Sequence, residues 1–438
     1  MILKSRLTVV VLMVLLVPTI VCGAGFHIRE QGAKAMGMAN AFVAQADDPS
    51  AVFYNPAGLA FQSGTQVSLG VTVINVPETE FKGETNIGRN DTFGLPGETV
   101  AVDTEARSDV FFPPNFYATT SEPDSPWAFG IGIGSLYPLA KRWDNNSPFR
   151  DEVVEIAIKP INVNPTIAYR FDSLNLSVGA GVDYTYAQVW LEKTTNIDGA
   201  AVGLGAQGTT SAQLGEVELD ADGDGWGYNF GVLWKPIEKI SIAVAYRSEI
   251  ELEFDGDADY LMSAFGQAVH GQPSATYGTK AETEITLPET WSFGVAWKPT
   301  ERLTLECDAD YFGWSSYDSL DIYFDETTVL SDSLNEKDWN DVWAYRFGAQ
   351  YAVTEKIDLR IGYTRDNSPV PDATIGPELP DSDRNNYTFG IGYHTERAVI
   401  DFAYMWVDFD DRKVDNEMQS GEYESAAHLV AANLTYFF

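Results

Sequence analysis

The chain closes on Ala427-His-Leu-Val-Ala-Ala-Asn-Leu-Thr-Tyr-Phe-Phe438, and this stretch decides how the rest is read. His428, Val430, Ala432, Leu434, Tyr436 and Phe438 fall on one side, mostly apolar and ending in aromatics. Leu429, Ala431, Asn433, Thr435 and Phe437 fall on the other, mixed and small. A period of two is that of a strand. A chain that stops on such a strand, with Phe as its last residue, has the form of a barrel closing on itself in an outer membrane.

Working outward, the pattern recurs. Strand signals run from Gln66 to the end and resolve into fourteen segments, among them Gln66–Asn75, Asn115–Thr119, Trp127–Tyr137, Ile240–Phe254 and Ala398–Phe409. An even number is what a bacterial single-chain barrel requires. Short turns such as Lys298-Pro-Thr-Glu301 and Thr395-Glu-Arg397 alternate with long acidic stretches, Val76–Asp109, Thr194–Gly225, Gly256–Ala281 and Asn367–Asn385. Short connections on one side and long loops on the other is the outer-membrane arrangement, with the turns periplasmic. In the tenth segment Trp343, Tyr345, Phe347, Ala349 and Tyr351 alternate with Ala344, Arg346, Gly348 and Gln350. The apolar row is expected to face lipid, because a charge there costs about 2–4 kcal/mol near the midplane. The other row then faces the lumen and carries Asp183, Lys193, Arg247, Glu249, Glu306, Asp308, Asp310, Arg346, Asp358, Arg360 and Asp401, expected to form a paired network. Cys307 falls on the lipid row as a small filler.

Composition agrees. The chain has 438 residues, with 64 Asp and Glu against 28 Lys and Arg, a formal charge of −36 that excludes nucleic acid as a partner. Beyond the N-terminus no run approaches the roughly 18 apolar residues of a membrane-crossing helix. Aromatics make up 13% of the chain, as the two interfacial girdles of a membrane barrel demand. Residues 1–23 read as a secretory leader, with Lys4 and Arg6 before the apolar Leu7–Val21; a membrane anchor and lipoprotein processing at Cys22 are the alternatives. Ala24–Gly64 does not alternate and is rich in small residues and turns, with Gly32–Ala46 suited to a short helix.

With this frame in place, the sequence resembles the FadL/TodX outer-membrane transporters of long-chain fatty acids and hydrophobic hydrocarbons, from Ala24 to Phe438. The motifs that carry the resemblance are Ala24-Gly25-Phe26 at the mature start, Asn55-Pro56-Ala57, Tyr246-Arg247-Ser248-Glu249 and Asp366-Asn367-Ser368-Pro369-Val370-Pro371. It implies an all-β fold, a fourteen-stranded antiparallel transmembrane β-barrel (66–438) whose lumen holds an N-terminal hatch (24–65). It implies passive uptake: capture of an apolar ligand by the outer loops, passage beside the hatch, and lateral exit at a kink in the third strand. The ligand contacts it suggests are Lys193, Arg247, Phe26, Leu261 and Phe265, with Asn55, Pro56 and Ala57 in the hatch. Lys193 matches a basic residue of the family's inner site; the second such base falls at Asp321, which would repel a carboxylate. No cofactor and no enzymatic activity are expected. The expected surroundings are outer-membrane lipid and lipopolysaccharide, with the assembly machinery that inserts barrels, and a monomeric state.

The residues themselves support the exit in part. Gly130, Gly132 and Gly134 leave a stretch of the third strand's lumen row without side chains, and Ser135 and Pro138 follow. Proline cannot donate to a ladder, which suits broken pairing. Leu261, Ala264, Phe265, Ala268 and Val269 have the spacing of a short amphipathic helix whose apolar face lies in a ligand groove or on neighbouring loops. Asp220, Asp222 and Asp224 match the first half of a calcium loop, but position twelve is Gly231 and not Glu, so a loop acid cluster is the competing reading. A general diffusion porin and a structural or adhesive barrel remain the other function classes.

Overall fold

The computed structural model describes residues 25–76, 79–87, 98–122, 124–198, 211–325 and 329–438. The leader expected over residues 1–23 lies outside them, as does Ala24.

Fourteen antiparallel strands close into one barrel. In chain order they are β1 (Gly64–Val76), β2 (Asp109–Phe111 and Pro114–Ser121), β3 (Trp127–Gly134, resuming as Leu139–Arg142), β4 (Glu155–Phe171), β5 (Leu176–Asp198) and β6 (Ser211–Ile237). Then come β7 (Ile240–Arg247 and Ile250–Met262), β8 (Thr276–Leu287 and Thr290–Thr300), β9 (Leu303–Phe312), β10 (Val342–Thr354) and β11 (Ile357–Asp366). The last three are β12 (Arg384–His394), β13 (Ala398–Phe409) and β14 (Ala426–Phe437). Closure is made by the stretch that opened the sequence reading: β14 pairs with β1 from Gln66↔Phe437 to Asn75↔His428, and the Phe438 N–H donates to Thr65 O at 3.0 Å. Among the described residues closure leaves the barrel itself without an edge strand, which lipid would not tolerate.

The two rows fall as the alternation requires. Trp343, Tyr345 and Phe347 stand outward at 39%, 45% and 51% exposure, while Ala344 and Arg346 are buried. Phe402, Tyr404 and Trp406 likewise point out, with Asp401, Ala403 and Met405 inside. Cys307 is on the outer row. Of the expected lumen charges, Glu249 is a correction. β7 breaks between Arg247 and Ile250, the phase slips there, and Glu249 is exposed.

A larger correction concerns two of the long stretches. Thr194–Gly225 and Gly256–Ala281, expected as loops, are largely strand: β5, β6, β7 and β8 continue as paired hairpins through residues such as Asp222, which lies opposite Gln188 on one side and Asp255 on the other. On β6 the outward row reads Glu218, Asp220, Asp222, Asp224, Trp226, Tyr228 without a break in phase. The change from acid to aromatic at Asp224/Trp226 marks where water gives way to lipid. The first and last long loops also carry strands (Glu80–Ile87, Glu98–Glu105, Arg412–Asp415 and Gln419–Glu424), which form a separate four-stranded sheet.

Candidate ligand site and wall opening

Residues 25–62 run inside the barrel and are almost entirely buried. Within Gly32–Ala46 a short helix forms at Ala33–Met36, and a second, Ala51–Tyr54, and the 3₁₀ turn Pro56–Phe61 follow it. Gly37 explains the small-residue composition: a Cβ on the lumen-facing Gly390 would stand 2.9 Å from its Cα. Asn55 caps the 3₁₀ turn by accepting from the Ala57 N–H, and its amide donates to Val43 O at 2.9 Å and to Val232 O on β6 at 3.3 Å. Pro56 takes the first helical position, where a missing N–H costs nothing. Ser177 on β5 donates to Ala57 O at 2.8 Å. Asn55-Pro56-Ala57 therefore fastens this segment to the wall.

Two carboxylates on β9 hold it from the other side. Asp308 accepts from the N–H groups of Phe42 (2.8 Å) and Val43 (3.1 Å). Glu306 accepts from those of Ala44 (2.6 Å) and Gln45 (3.0 Å). Arg29 reaches Asp310 at 3.1 Å, and Arg346 shares the same carboxylate at 2.6 Å. The charges expected on the lumen row are thus mostly spent on pairing and on the backbone of the inner segment.

The wall is interrupted between β2 and β3. The two strands pair from Ser121↔Ala128 to Phe116↔Ile133. Beyond that, no pairing joins them among the described residues until the Arg107 N–H donates to Arg142 O at 2.9 Å. On the β4 side, five residue steps from Gly134 to Leu139 answer four from Asn162 to Ile158, so one residue bulges out. β3 itself is interrupted from Ser135 to Pro138. β2 contributes Pro113 and Pro114 opposite it, two residues without an N–H to offer β3. The inner segment caps what the break leaves open: the Ile28 N–H donates to Leu136 O at 2.7 Å, Gln31 Nε2 to Ser135 O at 2.6 Å, and the Tyr117 hydroxyl to Gln31 O at 3.0 Å. Val52 and Leu59 lie 2.8 and 2.9 Å from where a Cβ on Gly130 would be, and Val52 lies 3.0 Å from one on Gly132.

Two adjoining cavities lie near this place. The outer one has a volume of about 600 Å³ and lies among the extracellular loops, with Lys193, Leu191, Leu320, Ile322, Leu334 and Lys337 in its lining. Ile156, Leu320, Lys337, Thr374 and Glu378 are shared with a second, nearly filled pocket of about 20 Å³ that is completed by Phe26, Leu139, Ile158, Tyr317, Trp339 and Val370. Lys337 and Glu378 form an ion pair at 2.6 Å in the shared wall. Burial works against the charge on Lys337, but Glu378 beside it holds the ammonium above the usual lysine range. Leu139 follows the break in β3 directly, and Tyr137 within the break packs against Phe26, ring centroids 6.3 Å apart.

The expected ligand contacts divide accordingly. Phe26 and Lys193 line the two adjoining cavities. Arg247 does not join them: its guanidinium pairs with Asp183 and lies 5.3 Å from the Phe53 ring centroid, holding the inner segment. A helix does form at Ala264–His270, but Leu261 belongs to β7 and Phe265 packs against the core, and neither lines these cavities. At Asp321, where the family's second base falls, the acid does not line these cavities, and the basic side chain in the wall they share is Lys337. Asp321 accepts from the Asn335 N–H at 3.1 Å and is turned away. Asp220, Asp222 and Asp224 lie at alternate positions of an extended strand, all outward, and no metal-binding group of acids forms among the described residues. Extended spacing of roughly 7 Å between alternate residues cannot wrap them around one calcium ion.

A closed fourteen-stranded barrel with an aromatic outer band, a charged lumen and a segment of small residues packed within it is a membrane barrel of the outer-membrane type. Residues 14–438 match the model of the outer membrane protein transport family (OMPP1/FadL/TodX), and the chain belongs to that family. The family is described as one of outer-membrane transport proteins. A long-chain fatty acid transport protein of Escherichia coli is 26% identical over 99% of this chain and 98% of its own. Among solved structures, a Pseudomonas aeruginosa FadL homologue superposes with a TM-score of 0.81 at 22% identity, over 95% of this chain and all of the other. The Pseudomonas putida toluene transporter TodX gives 0.66 at 16% identity, over 89% and 94%.

Proposed function

We infer that the protein takes up hydrophobic small molecules passively, catching them in the outer cavity and releasing them sideways through the break between β2 and β3. The observation that carries this reading is continuity. The outer cavity shares Ile156 and Leu320 with the pocket beside Phe26; that pocket is lined by Leu139, the first residue beyond the break, and its Phe26 packs against Tyr137 within the break. An apolar solute that leaves through the membrane plane need not return to water, where exposure costs about 25 cal/mol per Å². Residues 25–62 act as a hatch that closes the axial route, and they must shift where Ile28 and Gln31 cap the break. Release is downhill, since nothing in such a barrel couples to an energy source.

The experiment is uptake of labelled dodecane and toluene by cells that carry the protein as their sole transporter of this type, set against single-channel conductance of the purified barrel. Faster entry of at least one hydrophobe with low conductance supports the reading. High steady conductance with no hydrophobe uptake makes the protein a diffusion porin.

A further inference from the structure

We propose that the outer cavity selects solutes by the charge of their head: it takes amphiphiles with an amine or quaternary ammonium head on an apolar tail, and turns carboxylates away. The proposal rests on the uptake reading and names the class of solute caught at its first station. The cavity holds about 600 Å³, within the range of small-molecule sites. Leu191, Leu320, Ile322 and Leu334 give it an aliphatic wall for a tail. Its charges are unequal. Among the described residues five carboxylates line it, Glu152, Glu336, Glu378, Asp415 and Glu417, against two ammonium groups, Lys193 and Lys337. Glu378 holds Lys337 at 2.6 Å, which sets four carboxylates against Lys193 alone. These acids do not converge: among the described residues no group of them is placed to hold a metal ion. Acids spread over an apolar wall can face a broad organic cation without the close shell of oxygens that a metal ion demands.

The wall outside the cavity carries the same sign. β5 brings Leu191 and Lys193 to the cavity. Beside it the outward rows of β6 and β7 set acid against acid: Glu218 lies opposite Asp259, Asp220 opposite Asp257, Asp222 opposite Asp255 and Asp224 opposite Glu253. On β8, Glu282 and Glu284 continue the rows, opposite Asp255 and Glu253. Lys280, paired with Asp257 at 2.5 Å, is the base among them. Like charges directly opposite each other destabilise a sheet, so these rows work against the hairpins that carry them. Their effect on solutes is a field that reaches about 10 Å at 0.1 M salt. Such a field concentrates cations over a negative cleft and depletes anions. A carboxylate that approaches the cavity meets these rows first, and then Glu152, Glu336, Asp415 and Glu417. An ammonium head is drawn by both.

Probes with one tail and different heads test this. Octyltrimethylammonium, octanol and octanoate are titrated calorimetrically against the whole barrel in nanodiscs of zwitterionic lipid, with empty nanodiscs as the blank. At low salt the ammonium should bind about tenfold more tightly than octanoate, or better. Glu336→Gln combined with Asp415→Asn removes two of the four unmatched acids; both side chains are exposed, so the barrel should assemble. In that variant the ratio should fall below about threefold. Equal affinities in the wild type, tighter octanoate, or an unchanged ratio in the folded variant overturns the proposal. Should the variant fail to assemble, salt decides on the wild type. Raising it from about 0.01 M to about 1 M shortens the screening length from about 30 Å to about 3 Å. Ammonium binding should then weaken and octanoate binding strengthen, and the same response from both rejects the selection by charge. Octanol binding with no preference between the charged heads sinks the proposal and leaves the uptake reading standing. If no probe binds, the cavity captures nothing and the uptake reading falls with it.

Discussion

Glu306 and Asp308 each accept two main-chain N–H groups of the inner segment, at four successive residues, Phe42 to Gln45. Converting both to alanine should leave four buried donors orphaned at roughly 1–3 kcal/mol each. The expected result is a barrel that still assembles but shows frequent conductance bursts, measured in planar bilayers; wild-type silence would mean the segment is held elsewhere. Lys337 offers the complementary test. Glu378→Gln frees its ammonium for a ligand carboxylate, and a charge-assisted bond of roughly 1.5–3 kcal/mol should raise dodecanoate affinity about ten- to hundredfold. Toluene affinity should stay unchanged. These two kinds of residue differed in how far sequence could place them. The parity of Glu306 and Asp308 put them in the lumen at once. Lys337 stands outside any strand, between the Trp314–Ser316 turn and β10, where no period fixes which residue reaches a cavity. Arg247 had the right parity but a partner, Asp183, that only the fold brings to it.

At the scale of elements, all fourteen strands were legible because lipid enforces one apolar row. Above the membrane the same outward row becomes acidic, as at Asp220, Asp222 and Asp224 on β6. The periodicity of Glu216–Asp224 is as strict as that of Trp226–Trp234, but its sign is inverted, and a search for apolar rows passes over it. The break in β3 was announced by its glycines and Pro138. The matching signal on β2, Pro113-Pro114, lies in a stretch that alternates poorly, so it became meaningful only once β2 and β3 stood side by side. The inner segment has small residues and turns and no period at all, and its path had to come from its contacts. Deleting residues 24–60 tests the role assigned to it. The barrel should assemble and conduct ions steadily, whereas unchanged low conductance would mean that something else closes the lumen.

For the whole molecule, closure by β14 onto β1 predicts a folded species that resists SDS until heated and runs anomalously on unheated gels. Truncation before Ala427 removes ten cross-strand pairs with β1 and leaves two open edges in lipid, so the shortened chain should fail to appear as the heat-modifiable form. The central claim is the sideways exit. Its most direct measurement is uptake of a labelled hydrophobe by intact cells carrying Gly132→Leu with Gly134→Leu, alongside binding of the same hydrophobe to those cells. The glycines face Val52, Tyr117 and Gln31 at the break, so leucines there fill the passage while leaving the outer cavity untouched. The account predicts normal binding with uptake reduced to the level of cells lacking the protein. Normal uptake by a correctly assembled double variant would contradict it and send the solute through the lumen instead.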